Sequence, residues 1–213
     1  MPKQKTKGKT KEFHFLLEEA RRLGAVEAKI TGSNKVVVED RVLLKCRTGC
    51  DSYGKKFLCP PLTPTPDEFR KMLKEYRKVL IVKFPAEAEA GEDVGRSLHK
   101  NQYSPETPSD LRERTKDFWD VWGGDKRRIL LAMLDLEKAA FNRGYTLAVS
   151  LTAGSCALCA KCNMEATCTH PTIARYPEHA LGVNVKKTLR NVGMSIKFPF
   201  EEHPEGIGML LID

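Results

Sequence analysis

Residues 78–84 read KVLIVKF, an apolar run with no sustained polar face, and such a run reads as a buried strand. Upstream, Thr65-Pro66-Asp67-Glu68 announces the helix that feeds it. Thr65 suits the cap, Pro66 the first turn and Glu68 the third position of a capping box, with the helix reaching about Tyr76. Further back, EFHFLLEEARRL (12–23) carries Phe13, Leu16, Leu17, Ala20 and Leu23 at helical spacing, and Gly24 ends it. VEAKIT (26–31) and KVVVED (35–40) have strand composition. Gly32-Ser33-Asn34 between them is expected to join them as a hairpin.

Downstream, residues 85–107 show no sustained period and hold Pro85, Gly91, Gly95 and Pro105, so a mobile or functional connection, such as a lid, is expected there. Thr107-Pro108 opens a helix that should break at Gly123-Gly124. Asp125 should then cap a stronger one bearing Ile129, Leu130, Met133, Leu134, Leu136, Ala140 and Phe141, closed by Gly144. YTLAVSL (145–151) reads as a strand delivering the chain into a cysteine-rich segment. A short helix near VKKTLRNV (185–192) and a last strand, IGMLLID (207–213), complete the pattern. Helices interleaved with strands imply an α/β fold, with α+β as the variant. The expected form is a mixed β-sheet flanked by helices, with two cysteine-rich metal-binding loops at strand ends.

The chain has 213 residues, 41% hydrophobic and 30% charged, which suits a soluble globular protein with a real core. Residues 1–11 hold Lys3, Lys5, Lys7, Lys9 and Lys11 and are expected as a basic flexible tail, leaving 12–213 as a single domain. The net charge of +8 favours an acidic partner. RNA is the weaker alternative, because no aromatic residues interleave with the lysines to stack on bases. No apolar run is long enough for a bilayer, and the start lacks the apolar segment of a secretory signal, so the expected location is cytoplasmic.

In that compartment seven cysteines point to metal or redox chemistry, and an odd number cannot pair completely within one chain. GSCALCAKC (154–162) sets Cys156, Cys159 and Cys162 at even intervals, and Cys168 follows in a C-x2-C-x2-C-x5-C pattern. Even spacing suits three corners of a cubane [4Fe-4S] cluster. It differs from the ferredoxin run, whose fourth cysteine follows after three residues and serves a second cluster. Zinc is the alternative, although its sites usually draw on two separated cysteine pairs. CRTGCDSYGKKFLCPP (46–61) holds Cys46, Cys50 and Cys59, with Gly49, Gly54, Pro60 and Pro61 as turn formers that could aim backbone N–H groups at sulfur. Two all-thiolate cubanes would need eight cysteines. Either Cys168 completes the cluster of Cys156, Cys159 and Cys162, leaving one iron without a thiolate at Cys46, Cys50 and Cys59, or it crosses to the first set. A single cluster is the third arrangement. Asp51 and His170 are candidate non-thiolate ligands, whereas His14, His99, His179 and His203 have no ligand spacing.

CRTGCDSYGKKFLCPP, GSCALCAKC and CTHPTIARYPEHALGVNV together resemble a family of small prokaryotic proteins described as predicted metal-binding proteins of unknown function. The resemblance implies that all seven cysteines are ligands. It also implies that Arg47, Tyr53, Gly54, Pro60 and Pro61 belong to the first motif, and His170, Pro171, Arg175 and Gly182 to the segment after the second. At Phe57 other members carry a different large aromatic. The family supplies no reaction.

Three functions follow from the residues. The leading one is an iron–sulfur protein that relays single electrons to an acidic redox partner. The second is an enzyme whose cluster exposes one iron as a Lewis acid for dehydration or sulfur chemistry. The third is a zinc-stapled RNA-binding module. No dinucleotide fingerprint, P-loop or nucleophile elbow is present.

Overall fold

The computed structural model describes residues 12–97, 104–199 and 202–213. The basic tail expected at 1–11 and His99 lie outside them. Four strands, β1 (Glu27–Gly32), β2 (Lys78–Pro85), β3 (Val149–Leu151) and β4 (Glu205–Ile212), form one sheet in the order β1-β2-β4-β3. Among the described residues six helices accompany it: α1 (His14–Arg22), α2 (Val42–Arg47), α3 (Pro66–Leu73), α4 (Glu92–Ser97), α5 (Ser109–Phe141) and α6 (Val185–Asn191). This is the expected α/β arrangement of a sheet flanked by helices. Among the described residues all three ladders are antiparallel, and parallel pairing is confined to the isolated bridge between Thr152 and Pro177.

β2 is buried because helices cover both faces of the sheet. Side chains alternate along a strand, so Leu80, Val82 and Phe84 meet Phe13, Leu16 and Ala20 beside α5 residues Ile129, Met133 and Leu136. Val79 and Ile81 face the other way, onto Phe69 and Leu73 of α3 and Leu189 of α6. Lys83 shares that second face and is 8% exposed; it pairs with Glu27 at 3.1 Å and Glu205 at 3.4 Å and donates to the Ser195 carbonyl. α5 lies so close to β4 that a Cβ at Gly206 or Gly208 would overlap Ile129 or Met133.

Several local expectations hold. Thr65 and Glu68 form the reciprocal capping box of α3, Gly24 follows α1 at φ +90°, and Gly144 follows α5 at φ +94°. Others give way to tertiary contacts. The 26–31/35–40 hairpin does not form. β1 pairs with β2, a 3-10 turn occupies Ser33–Lys35, and Val36 drops into the core beneath α3 and α6. The backbone partners of Val37 come from the α6 side: its N–H donates to Thr188 Oγ1 at 2.9 Å, and its carbonyl accepts from Asn184 at 2.8 Å. α5 does not break at Gly123-Gly124. A glycine in a helix interior costs only about 1 kcal/mol, and Asp125 offsets that from within the helix. Its buried carboxylate accepts the N–H groups of Glu87 at 3.0 Å and Ala88 at 2.9 Å, beside Arg128 at 2.7 Å. Asp125 thus accepts backbone N–H groups as expected, but those of another segment.

That bond fixes the start of the 85–107 connection. Ala86, Ala88 and Ala90 are buried with Val94 against Phe118 of α5, and Glu87 and Glu89 point outward. No described residue of this stretch lines the cysteine cleft described below, so its described part is a packed strap and not a lid. The expected strand at 145–151 is shortened to Val149–Leu151, since Tyr145 packs its ring on Phe13 and Ala148 turns back to the Tyr145 carbonyl.

Candidate metal centre

The second cysteine segment leaves the end of β3 as a loop pinched at its base. Thr152 donates to the Tyr176 carbonyl at 3.0 Å and accepts from the Glu178 N–H at 3.2 Å, bringing the two ends of 153–176 together. Arg175 locks this base. Its guanidinium spans both oxygens of Glu137 on α5, and Glu137 Oε2 also accepts from the Ser150 N–H at 2.8 Å. The pair is mostly buried, at 17% and 16% exposure, so the loop is anchored to helix and sheet by one bidentate contact. Within the loop Ile173 and Ala174 donate to the His170 carbonyl, and Cys159 Sγ lies 3.4 Å from Thr169 Oγ1.

The first segment begins on a helix, not at a strand end as expected. Cys46 belongs to the last turn of α2. The chain then closes a small ring: Tyr53 donates to the Cys50 carbonyl at 3.1 Å, Gly54 to Pro60 at 2.9 Å and Cys59 to Lys56 at 3.0 Å. Gly54, at φ +66°, makes the turn that its missing side chain permits. The ring folds Cys59 inside, at 5% exposure, and leaves Cys50 exposed.

The two segments meet. Lys56 Nζ donates to the Cys156 carbonyl at 2.6 Å. One narrow cleft is lined by Cys156, Leu158, Cys159, Cys162, Cys168 and His170 from the second segment and by Lys56, Phe57 and Leu58 from the first. Cys46, Cys50 and Cys59 interact electrostatically with one another, and Cys59 also with Cys156, so the first three thiols adjoin this cleft without lining it. Phe57 thus acts as a wall, consistent with any large aromatic there.

Burial favours the protonated form of Cys46, Cys59 and Cys156 in the absence of a metal. It pushes Cys59 up to about 11, with the neighbouring Cys50 adding to the effect, and it raises Cys46 and Cys156. At Cys156 the Leu158 N–H and the Lys56 charge oppose it by stabilising the thiolate. A soft cation that takes these sulfurs must release their protons. Among the described residues no three His, Cys, Asp or Glu side chains converge on a point that could hold a single ion.

Of the other candidates, Asp51 is exposed on the first loop and does not line the cleft, and His179 is exposed on the turn after Pro177. His14 pairs with Glu18 on α1, and His203 lies beside the Ala88 carbonyl. Sequence reading missed Glu137, which has no local signal, and Lys126 of α5, whose side chain runs against Gly154. Lys56 stood unnoticed within the quoted cysteine motif.

A family model described as predicted metal-binding protein (DUF2284) matches residues 29–212. No curated protein and no solved structure matches the chain. No helix among the described residues is long and apolar enough to cross a membrane.

Proposed function

We propose, from the premise that this chain belongs to the DUF2284 family of predicted metal-binding proteins, that its metal is iron in one or two [4Fe-4S] clusters and that it passes single electrons to an acidic partner protein. The observation that carries this reading is the shared cleft, into which one loop brings Cys156, Cys159, Cys162 and Cys168. The donors are soft and all of one kind, which suits iron–sulfur or zinc and disfavours hard cations. Spacing then separates those two. Zinc draws four ligands to about 2.3 Å from one point, whereas a cubane spreads its thiolates around separate irons.

A cluster held there would take up and return one electron at a time. The residues of this chain supply its surroundings. Cys168 lines the same cleft as Cys156, Cys159 and Cys162, which favours one complete four-thiolate set. Cys46, Cys50 and Cys59 would hold a second cluster short of one thiolate. Phe57, Leu58 and Leu158 restrict water at the sulfurs, and the Leu158 N–H stabilises charge on Cys156. Lys45, Lys55 and Lys161 are exposed in and beside the cysteine segments, next to exposed Asp51 and Glu165, and the chain's net charge of +8 suits an acidic partner.

A second reading rests on the three-thiol set. Cys50 is exposed, so an iron without a thiolate beside it would be open to small molecules, and the protein would be an enzyme of the dehydration or sulfur-transfer kind. Cyanide or added thiol should alter the cluster spectrum in that case and leave it unchanged if both clusters are complete. The test of the main reading is the metal content of protein purified without oxygen. Brown protein with iron and acid-labile sulfide is expected; stoichiometric zinc without sulfide would overturn it.

A further inference from the structure

Two partly or wholly buried lysines in this fold are treated differently. Lys83 is flanked by Glu27 and Glu205, the usual way to bury an ammonium. Lys126 is half-buried on α5, and among the described residues it has no carboxylate in ion-pair range and no hydrogen-bond acceptor. Its stem instead lies against Gly154, where a Cβ would sit 3.0 Å from Lys126 Cδ and where φ is +68°. Gly154 therefore combines two requirements, a left-handed turn and an open flank for the lysine. The groups that act on the ammonium are Lys56 and the sulfurs of Cys156, Cys59 and Cys50, which come from both cysteine segments. Burial first, and the Lys56 charge after it, lower its pKa. Desolvating a cation without a counter-ion is costly. Lys56 Nζ at the Cys156 carbonyl and the Lys126 stem at Gly154 bring two cationic side chains to the same end of the second cysteine loop, a place suited to an anionic group.

We infer that Lys126 is a positioning residue that supplies fixed positive charge at the junction of the two cysteine loops, with Lys56 as its companion, and that this charge stabilises the anionic metal–thiolate centre and most of all its reduced form. The inference rests on the cysteine-bound metal reading but not on which metal it is. Lys56 is held by the Cys156 carbonyl and so also fixes the backbone. Lys126 has no such structural bond, and its substitution isolates the charge.

The experiment compares the full chain with its Lys126→Met and Lys126→Arg variants, using Lys138→Met, exposed on the same helix, as control. Anaerobically loaded protein is titrated at an electrode. Removing a nearby positive charge disfavours the added electron, so Lys126→Met should lower the one-electron equilibrium constant about tenfold, or about 59 mV. Lys126→Arg and Lys138→Met should match the parent. In parallel, apoprotein is titrated with cobalt(II) and followed by its thiolate charge-transfer absorption, where Lys126→Met should bind about tenfold more weakly. Unchanged potential and unchanged cobalt affinity in folded Lys126→Met protein overturn the inference. If the parent contains no iron or sulfide, the iron–sulfur reading fails by itself and the cobalt titration alone decides on Lys126. Should Lys126→Met not fold by circular dichroism, Lys126→Gln replaces it with the same expected results.

Discussion

Glu178 shows how much one side chain can report. It is 1% exposed, its Oε1 has no partner among the described residues, and burial pushes its carboxyl from 4.5 up to about 8. Between those values the folded protein holds a proton that the unfolded chain has released. Stability therefore falls as pH rises through that window, by at most about 1.4 kcal/mol per pH unit. Glu178→Gln keeps the shape without the titration, and denaturant unfolding at a series of pH values should show a flatter profile. A parent protein whose stability is flat from about pH 5 to about pH 8 would refute the assignment. Cys168 reports the wiring in the same way. Serine keeps its size and is a far weaker ligand for iron. Because Cys168 shares the cleft of Cys156, Cys159 and Cys162, Cys168→Ser should, under the proposed two-cluster reading, damage a cluster held by those cysteines and spare one held by Cys46, Cys50 and Cys59. Spectra beside a Cys59→Ser control decide. Loss of the other cluster would mean that the cysteine crosses over, and no change at all would mean that it is not a ligand.

Among the elements, α5 does most to position the site. From this one helix Glu137 holds the base of the second cysteine loop through Arg175, Lys126 lies along Gly154, and Asp125 takes the backbone of the 86–90 strap. Arg175→Ala would leave Glu137 charged and mostly buried, an arrangement that costs about 3 kcal/mol when an ion pair is broken on one side. Chemical denaturation should show that loss. Metal retention should fall with it, because the loop base loses its lock. The close approach of α5 to β4 gives a second test. Gly208→Val would drive methyl groups into Met133 and should cost about 1–3 kcal/mol from overpacking. A variant as stable as the parent would mean that the helix moves away more easily than its packed face suggests.

For the whole molecule, stability is unevenly divided. The sheet centre, Val79 to Val82 on β2 with Leu210 on β4, is fully buried between two helical layers. Turn hydrogen bonds, the Arg175–Glu137 ion pair and the Lys56 contact hold the cysteine loops, with few buried apolar side chains among their described residues. Metal binding should therefore organise the loops, not the core. Hydrogen exchange with and without metal should show protection lost first at 46–61 and 154–175 while β2 is unaffected. Equal protection in both states would indicate loops that are rigid without the metal.

What the sequence by itself determined is local. The Thr65–Glu68 box starts α3, the apolar run 79–82 makes β2 a buried strand, and glycines end α1 and α5. The two cysteine groups were legible for the same reason, since each is written within about twenty residues of chain. Tertiary structure decided everything that joins distant segments. It turned Val36 toward α6 instead of into a hairpin with β1, and it carried α5 through Gly123-Gly124 on the strength of Asp125 and the strap. It brought Lys56 to Cys156, a hundred positions away, and placed Glu137 and Lys126 beside a loop whose residues give no hint of either. Caps, turns and periodicity are energies between near neighbours and can be read along the chain. Which face of a helix meets which loop depends on long-range packing, and no short window of sequence contains it.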